Sequence, residues 1–378
     1  MESNDNKIVI IGASLAGLSL ALACAKYGLS VRLFERSTHR TSGGDSLSVH
    51  LESLANTTGH DPRNSPALTV VPAYRDRHLT TWPALYAWLH QRVDESARIT
   101  LKRGKNLISA QDLGHCVQLN FADGTQGNAD VVIGADGYSS SIRRVVAPEA
   151  ANANYAGYIV WRGLVEESKL LQPIALSSDQ GLWIDYVKGY RLVAAILPGR
   201  DGSLVIGRRQ ITFAWFEEGR RDLLEHKTCV TADGYVIGTL GRGNIDAEIR
   251  QELGARVKKV WPKVWAESVE FGVQSADALS GSPIAEYQPV RLAKGRLAII
   301  GDAAHAVSPM TGSGFASSVE DAAVLSKLLA ENATRGSFEN ALNQYELSRL
   351  PFANRLLGSS IRASSEFIRY SQAARYSS

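Results

Sequence analysis

The chain has 378 residues, of which 44% are hydrophobic and 21% charged, so it can form one large or two moderate domains with a substantial core. Its 41 basic and 38 acidic side chains leave a net charge of +3, which gives no reason to expect a nucleic-acid partner. The three cysteines stand far apart and the eight histidines lack ligand spacing, so we expect reduced thiols, a cytoplasmic location and no metal site. Beyond the apolar stretch near the start, no apolar run is long enough to span a bilayer, so we expect no membrane partner.

The first predicted unit runs from Ile8 to Glu35. It opens with a β-branched block typical of a buried parallel strand, continues with apolar residues at helical spacing, and closes with a second strand that ends at Glu35. The same apolar stretch resembles a secretory signal. Asp5 in its polar start, and the acid-ended strand that follows it, favour a βαβ unit instead.

A glycine turn joins the first strand to the helix. Gly12 ends the strand, Ser14 stands where many dinucleotide sites have a second glycine, and Gly17 lies in the helix. A helix N-terminus presents unpaired N–H groups to phosphate, and an acid at the end of the second strand suits a ribose hydroxyl. The unit therefore predicts a dinucleotide site.

The next elements are a mixture of loops, short strands and one helix. Residues 36–44 and 56–72 are rich in turn formers, and a helix capped by Thr80 or Thr81 begins near Trp82. Further strands are predicted at Ser46–Val49, Arg98–Leu101, Lys105–Ile108 and Cys116–Phe121, with a helical turn over His50–Ala55 and a hairpin turn at Asp123-Gly124.

Two further buried strands also end in a glycine followed by an acid. The first is Asp130–Gly134, which leads to Asp136, and the second is Leu297–Ile300, which leads to Asp302. Gly312-Ser313-Gly314 then precedes a helix that begins near Phe315. The carboxyl ends of parallel strands meet at one edge of a sheet, so we expect all three turns to line one ligand site.

The middle of the chain, from Tyr155 to about Pro283, is typical of an antiparallel sheet inserted into the α/β domain. Its predicted strands, which are rich in aromatic residues, are 158–163, 181–186, 190–197 and 211–216, followed by helical segments around 247–260. A helix start is predicted near Ser337, and Tyr345 to Tyr376 is interpreted as a polar surface helix with no chemistry of its own.

These motifs resemble those of the single-component FAD-dependent aromatic hydroxylases, the class A flavoprotein monooxygenases. The resemblance rests on Gly12–Gly17 with Glu35, on Val132–Gly137 with Ser140 and Arg143, and on Gly301–His305 through Gly314 and Glu320–Ala322. Within the family, the chain looks most like the 2,6-dihydroxypyridine 3-hydroxylase branch because of Ser14, Tyr155–Tyr158, Trp161–Gly163 and Pro198–Arg200.

The resemblance implies an α/β fold in which a Rossmann-like FAD-binding domain carries an inserted antiparallel β-sheet substrate domain and C-terminal helices. The implied limits are 1–160 with 284–345 for the FAD-binding domain, 161–283 for the substrate domain and 346–378 for the C-terminal helical segment. The implied FAD-binding residues are Gly12, Ser14, Leu15, Gly17, Glu35, Arg36, Leu107, Asp136, Asp302, Gly312, Ser313 and Gly314.

The implied reaction uses NADH or NADPH and O₂ to hydroxylate an electron-rich aromatic or N-heteroaromatic ring through a flavin C4a-hydroperoxide. The small aromatic substrate itself is not specified. A base that deprotonates a ring hydroxyl would assist, with His50 as first candidate and Tyr190 as second. His305 belongs to the flavin motif and is interpreted as structural.

Two features depart from the family: Arg77 is not aligned with the arginine that opens the Trp82 helix in relatives, and the loop Ala306–Thr311 differs from the pyridine branch.

Two alternative functions remain open at this point. One is a flavin oxidase, epoxidase or reductase that acts on a non-aromatic substrate, and the other is a non-enzymatic nucleotide-binding module. The oligomeric state also stays open, with a homodimer among the alternatives.

Overall fold

The computed structural model describes residues 7–39, 46–74, 76–177, 181–333 and 337–376. Residues 40–44 of the predicted polar loop, and residues 377–378 of the C-terminal segment, lie outside this range. The strands are β1 Ile8–Ile11, β2 Val31–Glu35, β3 Ser46–Val49, β4 Val71–Pro72, β5 His78–Thr81, β6 Ile99–Arg103, β7 Leu107–Asp112, β8 Val117–Phe121, β9 Gln126–Ala129, β10 Val131–Gly134, β11 Asn154–Glu166, β12 Leu182–Val187, β13 Tyr190–Leu197, β14 Gln210–Glu218, β15 Ser280–Glu286, β16 Ala293–Lys294 and β17 Leu297–Ile299. The helices are α1 Leu15–Lys26, α2 Leu51–Thr58, α3 Trp82–Glu95, α4 Ser141–Val146, α5 Arg221–His226, α6 Ala247–Val260, α7 Lys263–Gln274, α8 Asp302–His305, α9 Gly314–Ala333 and α10 Phe338–Tyr376.

A six-stranded sheet forms the centre of the first part of the fold. Its order is β16-β17-β10-β1-β2-β6, and only the edge strand β16 runs antiparallel to its neighbour. Every residue of β1 and β10 is buried, because helices cover both faces of a parallel sheet and leave no face for polar side chains. Helix α1 packs against α3 and α9, and α4 packs against β17. This arrangement confirms the predicted Rossmann-like α/β class.

A five-stranded antiparallel sheet forms the second part, in the order β12-β13-β14-β11-β15. Helices α6 and α7 cover one face, where Trp161, Trp215 and Trp265 are buried. On the other face, Val160 and Phe216 pack with Met310 of the loop before α9 and Phe367 of α10. That second face, which we call the inner face, therefore looks towards the first part of the fold. Strands β11 and β15 run across the predicted domain limits at 160 and 283, which stay a prediction.

Two small sheets complete the described chain, with orders β3-β5-β4 and β7-β8-β9. The hairpin predicted at Asp123-Gly124 is the connection between β8 and β9. Strand β3 contacts α9, and β5 contacts β13, so the first small sheet bridges the two main parts of the fold. Within the described residues, no helix combines the length and the apolar character that a membrane crossing requires.

The prediction that Tyr345 to Tyr376 form a helix is confirmed, but the prediction that this helix lies on the surface is wrong. The residues belong to the 39-residue helix α10, which buries Tyr345, Arg349 and Phe367. The buried stripe includes Ala353, Ser360, Ser364 and Ser371, small residues that a search for large apolar side chains passes over. The helix start predicted near Ser337 is confirmed, because α10 begins at Phe338.

Candidate functional site

The carboxyl ends of four parallel strands meet at one edge of the six-stranded sheet. Ile11 lies opposite both Phe34 and Gly134, and Gly134 lies opposite Ile299. Backbone hydrogen bonds continue past the strand ends, from Gly12 N to Phe34 O at 2.8 Å and from Ala135 N to Ile11 O at 2.7 Å. The turns after β1, β2, β10 and β17 are thus neighbours, and they enclose a cleft.

Glycines allow these turns to approach one another. Gly12 has a φ of +103°, and a Cβ there would lie 2.4 Å from Ala135 O. A Cβ on Gly17 would lie 1.9 Å from Gly12 O, so only glycine fits between the turn and α1. Gly301 has a φ of +60°, and its Cβ would lie 2.8 Å from the Cβ of Ala16 and 3.1 Å from Ser318 Oγ. The turn after β17 therefore sits between the first turns of α1 and α9.

Two helix N-termini consequently open into the cleft. Ser14 caps α1 through its backbone alone, and its exposed side chain makes no capping hydrogen bond. Leu15, the first residue of α1, is buried beneath it. Gly314 begins α9, and a Cβ there would meet nothing within 4 Å. The unpaired N–H groups and positive dipole end of each helix attract anionic groups.

Two carboxylates face the same region. Glu35 ends β2, and its Oε2 and Oε1 accept hydrogen bonds from Ala13 N and Ser37 N, both at 2.9 Å. Asp302 begins α8 and keeps solvent access, while the protein around it desolvates the carboxyl and raises its pKa. The Asp302 carboxyl is accessible to solvent and is also desolvated by the protein around it, so we infer that it lies in a recess.

Asp136 has a different role in the turn after β10. Its Oδ2 accepts hydrogen bonds from the backbone N and the Oγ of Ser141, both at 2.7 Å, and Ser140 Oγ donates to its Oδ1. The carboxylate thus holds the turn against Ser141, the first residue of α4, while Ser140 is the N-cap residue of that helix. Arg143 of α4 lies over the Tyr287 ring at 4.2 Å and donates to Ala303 O at 3.2 Å, which ties this turn to α8.

Tyr138 shows that side chains from three turns share one electrostatic environment. Burial raises the pKa of its phenol, Cys229 and Asp302 add to that rise, and Arg36 opposes it. Arg36 follows β2 and is exposed, whereas Asp302 follows β17. Both groups therefore lie close enough to Tyr138 to act on it. Leu107 begins β7 opposite Phe121, whose ring packs 4.8 Å from Phe34, so Leu107 lies on the Glu35 side of the cleft.

The loop before α9 forms the far end of the cleft. Ser308 caps a single 3₁₀ turn over 309–311, and Gly312 follows with a φ of +59°. Ser313 donates from Oγ to Thr311 O at 3.0 Å. Arg77, from the segment before β5, donates to Gly312 O at 3.2 Å. The arginine that is out of register with the family pattern therefore still contacts this loop.

Known protein families and known proteins resemble this chain over most of its length. A family model described as "FAD binding domain" matches residues 251–360, one described as "FAD binding domain-like" matches 155–273, and one described as "NAD(P)-binding Rossmann-like domain" matches 10–67. The 3-amino-4-hydroxybenzoate 2-monooxygenase of Streptomyces cremeus is 28% identical over 93% of this chain and 85% of its own length. The 2,6-dihydroxypyridine 3-monooxygenase of Paenarthrobacter nicotinovorans is 25% identical over 90% of this chain and 87% of its own. The chain is thus similar to monooxygenases over most of its length, and two FAD-binding domain models match parts of it.

A solved structure shares the whole fold of this monooxygenase. The 2,6-dihydroxypyridine-3-hydroxylase from Arthrobacter nicotinovorans superimposes with a TM-score of 0.78, at 22% sequence identity, over 96% of this chain and 93% of that one. The comparisons confirm the predicted family, the enzyme class and FAD as cofactor. The cleft suits such a group, because its glycine turns leave room for an extended dinucleotide and its two helix N-termini suit negative charge.

The two candidate catalytic residues lie in different places. His50 follows β3 as the N-terminal cap residue of α2 and is half-buried, next to the small sheet that bridges the two parts of the monooxygenase. Tyr190 begins β13 on the helix-covered face of the large sheet. Its ring packs edge-on against Trp215, and its hydroxyl accepts a hydrogen bond from Arg256 Nη1 at 2.9 Å. The structure therefore does not bring Tyr190 to the cleft.

A buried hydroxyl network, which the sequence analysis missed, supports the loop before α9. Tyr158 Oη lies 2.7 Å from Ser308 Oγ and 3.0 Å from Ser364 Oγ. Glu286 accepts hydrogen bonds from Ser360 at 2.6 Å and from Ser364 at 2.8 Å. Burial raises the pKa of Tyr158 to about 12, so its phenol stays protonated. Isolated serines in a polar helix gave no indication of this network.

A buried charge network lies beneath α8. His305 Nε2 lies 2.6 Å from Asp321 Oδ2, and Arg349 Nε donates to Asp321 Oδ1 at 2.8 Å. Asp321 also accepts from Gly301 N at 3.0 Å, so the network fixes the turn that carries Asp302. Burial works against protonation of His305, but the Asp321 carboxylate outweighs it and raises the pKa of the imidazole. Asp321 was part of a quoted motif, but its partner Arg349 was not foreseen.

Proposed function

We propose that this monooxygenase hydroxylates an electron-rich aromatic or N-heteroaromatic ring, with NAD(P)H as reductant and O₂ as oxidant. The named activities of the two relatives support this, since one acts on a hydroxybenzoate and the other on a dihydroxypyridine. Because the named substrates differ in charge and ring type, they leave the substrate of this chain open.

One observation carries the proposal, namely a stretch of partly accessible, small residues on the inner face of the five-stranded sheet, which we call the hollow. Ala214 and Val193 lie opposite each other at the centre of this face, yet both keep some solvent access. Met310 packs on the same face, and its loop leads directly to Gly312 and Gly314. A flat ring in this hollow would lie between the apolar sheet and the end of the cleft. Such apolar, concave sites are typical of small-molecule pockets.

The residues of the cleft would divide the contacts with FAD among them. Ser14, Leu15 and Gly17, after the turn at Gly12, would bring the N-terminus of α1 to the pyrophosphate. Glu35, Arg36 and the backbone at Leu107 would surround the adenosine, and Asp302 would bind the ribityl chain. Gly312, Ser313 and Gly314 would present N–H groups to the isoalloxazine ring, and Asp136 would act indirectly by holding its turn.

Bound FAD would supply the redox chemistry, by accepting a hydride from NAD(P)H and activating O₂ for transfer of one oxygen atom to the ring. The chain's own contribution is to orient both molecules and to exclude water. The N–H groups at the start of α9 would stabilise negative charge on the reduced ring. We propose that His50 accepts the proton of a ring hydroxyl, because it is the candidate base that lies beside the bridging sheet.

An isotope experiment tests the reaction class. The FAD-loaded enzyme should oxidise NAD(P)H faster when an aromatic substrate is present, and the product should carry one ¹⁸O atom when the reaction runs under ¹⁸O₂. Product without label would favour an oxidase or reductase. Protein that binds nucleotide but cannot be reduced by NAD(P)H would favour a binding module.

We also infer a cytoplasmic location and a homodimeric state. The three free cysteines support the first, since they are unpaired thiols. Strand β12 supports the second, because this edge strand exposes Leu182, Ile184 and Tyr186. Light scattering of the purified enzyme should give about twice the chain mass of 40.9 kDa. A monomeric mass at micromolar concentration would contradict the dimer.

A further inference from the structure

The side chain of Arg77 contacts the loop that we propose to hold the flavin ring. Its Nη1 donates a hydrogen bond to Gly312 O at 3.2 Å, although the two residues stand 235 positions apart in the chain. A Cβ built on Gly312 would lie 3.0 Å from the same nitrogen. The guanidinium therefore lies directly against this loop, two residues before Gly314 begins α9.

The small sheet β3-β5-β4 fixes the position of Arg77. The residue directly precedes β5, and its carbonyl accepts a hydrogen bond from Ala73 N at 2.9 Å, which closes the connection from β4. Because the register pairs His78 with Val49, Arg77 lies at the same end of this sheet as His50. Arg77 thus stands where the bridging sheet, the proposed base and the flavin loop meet.

No carboxylate neutralises Arg77 within the part of the chain that the structure describes. The contact with Gly312 O uses one of the five N–H donors of the guanidinium, so four remain. The acids of the cleft are engaged elsewhere. Glu35 accepts from two backbone N–H groups, and the positive charges that act on the Asp302 carboxyl come from α4 and α8.

Arg63, in the same segment of the chain, shows the more usual arrangement. Its Nε and Nη2 donate to the two carboxylate oxygens of Asp61, at 2.8 Å and 3.0 Å, so an adjacent acid neutralises its charge. Arg77 instead lies beside the start of α9, where the helix dipole is also positive. Since the two positive potentials add, a negative charge that appears at this end of the cleft would be stabilised.

We propose that Arg77 stabilises the negative charge of the reduced flavin, in addition to the N-terminus of α9. This inference rests on the proposed function and assigns it a further residue. Reduction adds two electrons and one proton to a neutral ring, so the ring gains one net negative charge. The hydride of NAD(P)H carries all three, and oxidised NAD(P)⁺ leaves. A guanidinium beside Gly312 offers the charged ring both N–H donors and positive potential.

Midpoint potentials test the proposal without turnover. The FAD-loaded enzyme is reduced stepwise with dithionite against a reference dye, without substrate or NAD(P)H, at alkaline pH, where the reduced ring is anionic. Arg77→Gln keeps an N–H donor for Gly312 O but removes the charge. Loss of a hydrogen bond to a charged group predicts an about 10- to 100-fold weaker preference for reduced over oxidised FAD, which for a two-electron couple is a potential about 30–60 mV lower.

A second measurement on the same variant follows the proton of the reduced ring. In Arg77→Gln, the pH at which the reduced ring changes from neutral to anionic, read from its absorbance, should rise by about 1–2 units, because the anion has lost its stabilising charge. A residue that only supports the loop would leave this pH unchanged.

Two further variants separate charge from structure. Arg77→Lys keeps the positive charge, so its potential should stay closer to the native value than that of Arg77→Gln. Arg63→Gln is the matched control, because Arg63 belongs to the same segment but its side chain is 62% exposed and paired with Asp61. This control should keep the native potential.

The contrary outcomes are distinguishable. A native potential in Arg77→Gln would overturn the inference, and an equal fall in Arg77→Gln and Arg77→Lys would show that Arg77 only holds the loop. A fall of the same size in Arg63→Gln would contradict a local effect of charge. Enzyme that shows the expected potentials but hydroxylates no aromatic ring would contradict the proposed function alone, whereas protein that binds no FAD would contradict both.

Discussion

The open side of Gly314 offers a test that separates FAD binding from folding. Gly314 begins α9, and a Cβ at this position would meet no protein atom within 4 Å. The folded protein should therefore accept Gly314→Ala with a change in the free energy of unfolding of within about 1 kcal/mol. We propose that the isoalloxazine ring of FAD occupies the empty space beside Gly314.

The expected loss is in affinity for FAD. A methyl group forced into a filled site costs about 1–3 kcal/mol, which corresponds to a roughly 5- to 150-fold higher dissociation constant. The control is Gly127→Ala in the edge strand β9, where a Cβ would also meet nothing within 4 Å. Both variants should fold like the native apoprotein, measured by urea denaturation. Equal FAD dissociation constants for the two, measured by fluorescence titration, would refute the reasoning.

Three further predictions follow from the buried networks and from His50. Tyr158→Phe removes the hydroxyl that bonds Ser308, so the variant should lose about 1–3 kcal/mol of stability in urea denaturation and show a shifted flavin absorbance band; an unchanged protein would contradict a support role. The raised pKa of His305 adds stability that is fully present below about pH 6.5 and lost as pH rises through the raised value, so this slope should vanish in His305→Gln. The free energy of unfolding of both proteins is measured by denaturation at a series of pH values. If it still falls with rising pH in the variant, a group other than His305 causes the fall. His50→Gln should lower the turnover number about 10²- to 10⁴-fold at unchanged FAD affinity, and unchanged steady-state kinetics would exclude His50 as the base.

The sequence allowed the sheet edge and its turns to be predicted because their determinants are local. A β-branched strand, a glycine that must take a positive φ and an acid at the strand end are all read within a few residues, as at Gly12 and Asp302. The resemblance to a known family then connected the three turns. The same local reasoning predicted four of the five strands of the inserted sheet, including the one that became β13, but it did not predict β15.

The sequence could not reveal which residues meet across the fold. Tyr190 and Arg191 are adjacent, yet strand alternation sends the first to the helix-covered face and the second to the inner face. Arg349 stands 28 residues from Asp321, and only the packing of α10 on α9 joins them. Partners at such separations depend on tertiary packing, so no local pattern indicates them.

A crystal structure of the enzyme with FAD bound tests the central claim most directly. We predict that the adenosine lies beside Glu35, the pyrophosphate at the N-terminus of α1, and the isoalloxazine ring between Gly312–Gly314 and the inner face of the five-stranded sheet. Density for FAD on any other surface, or a protein that stays colourless and binds no FAD on reconstitution, would contradict the account.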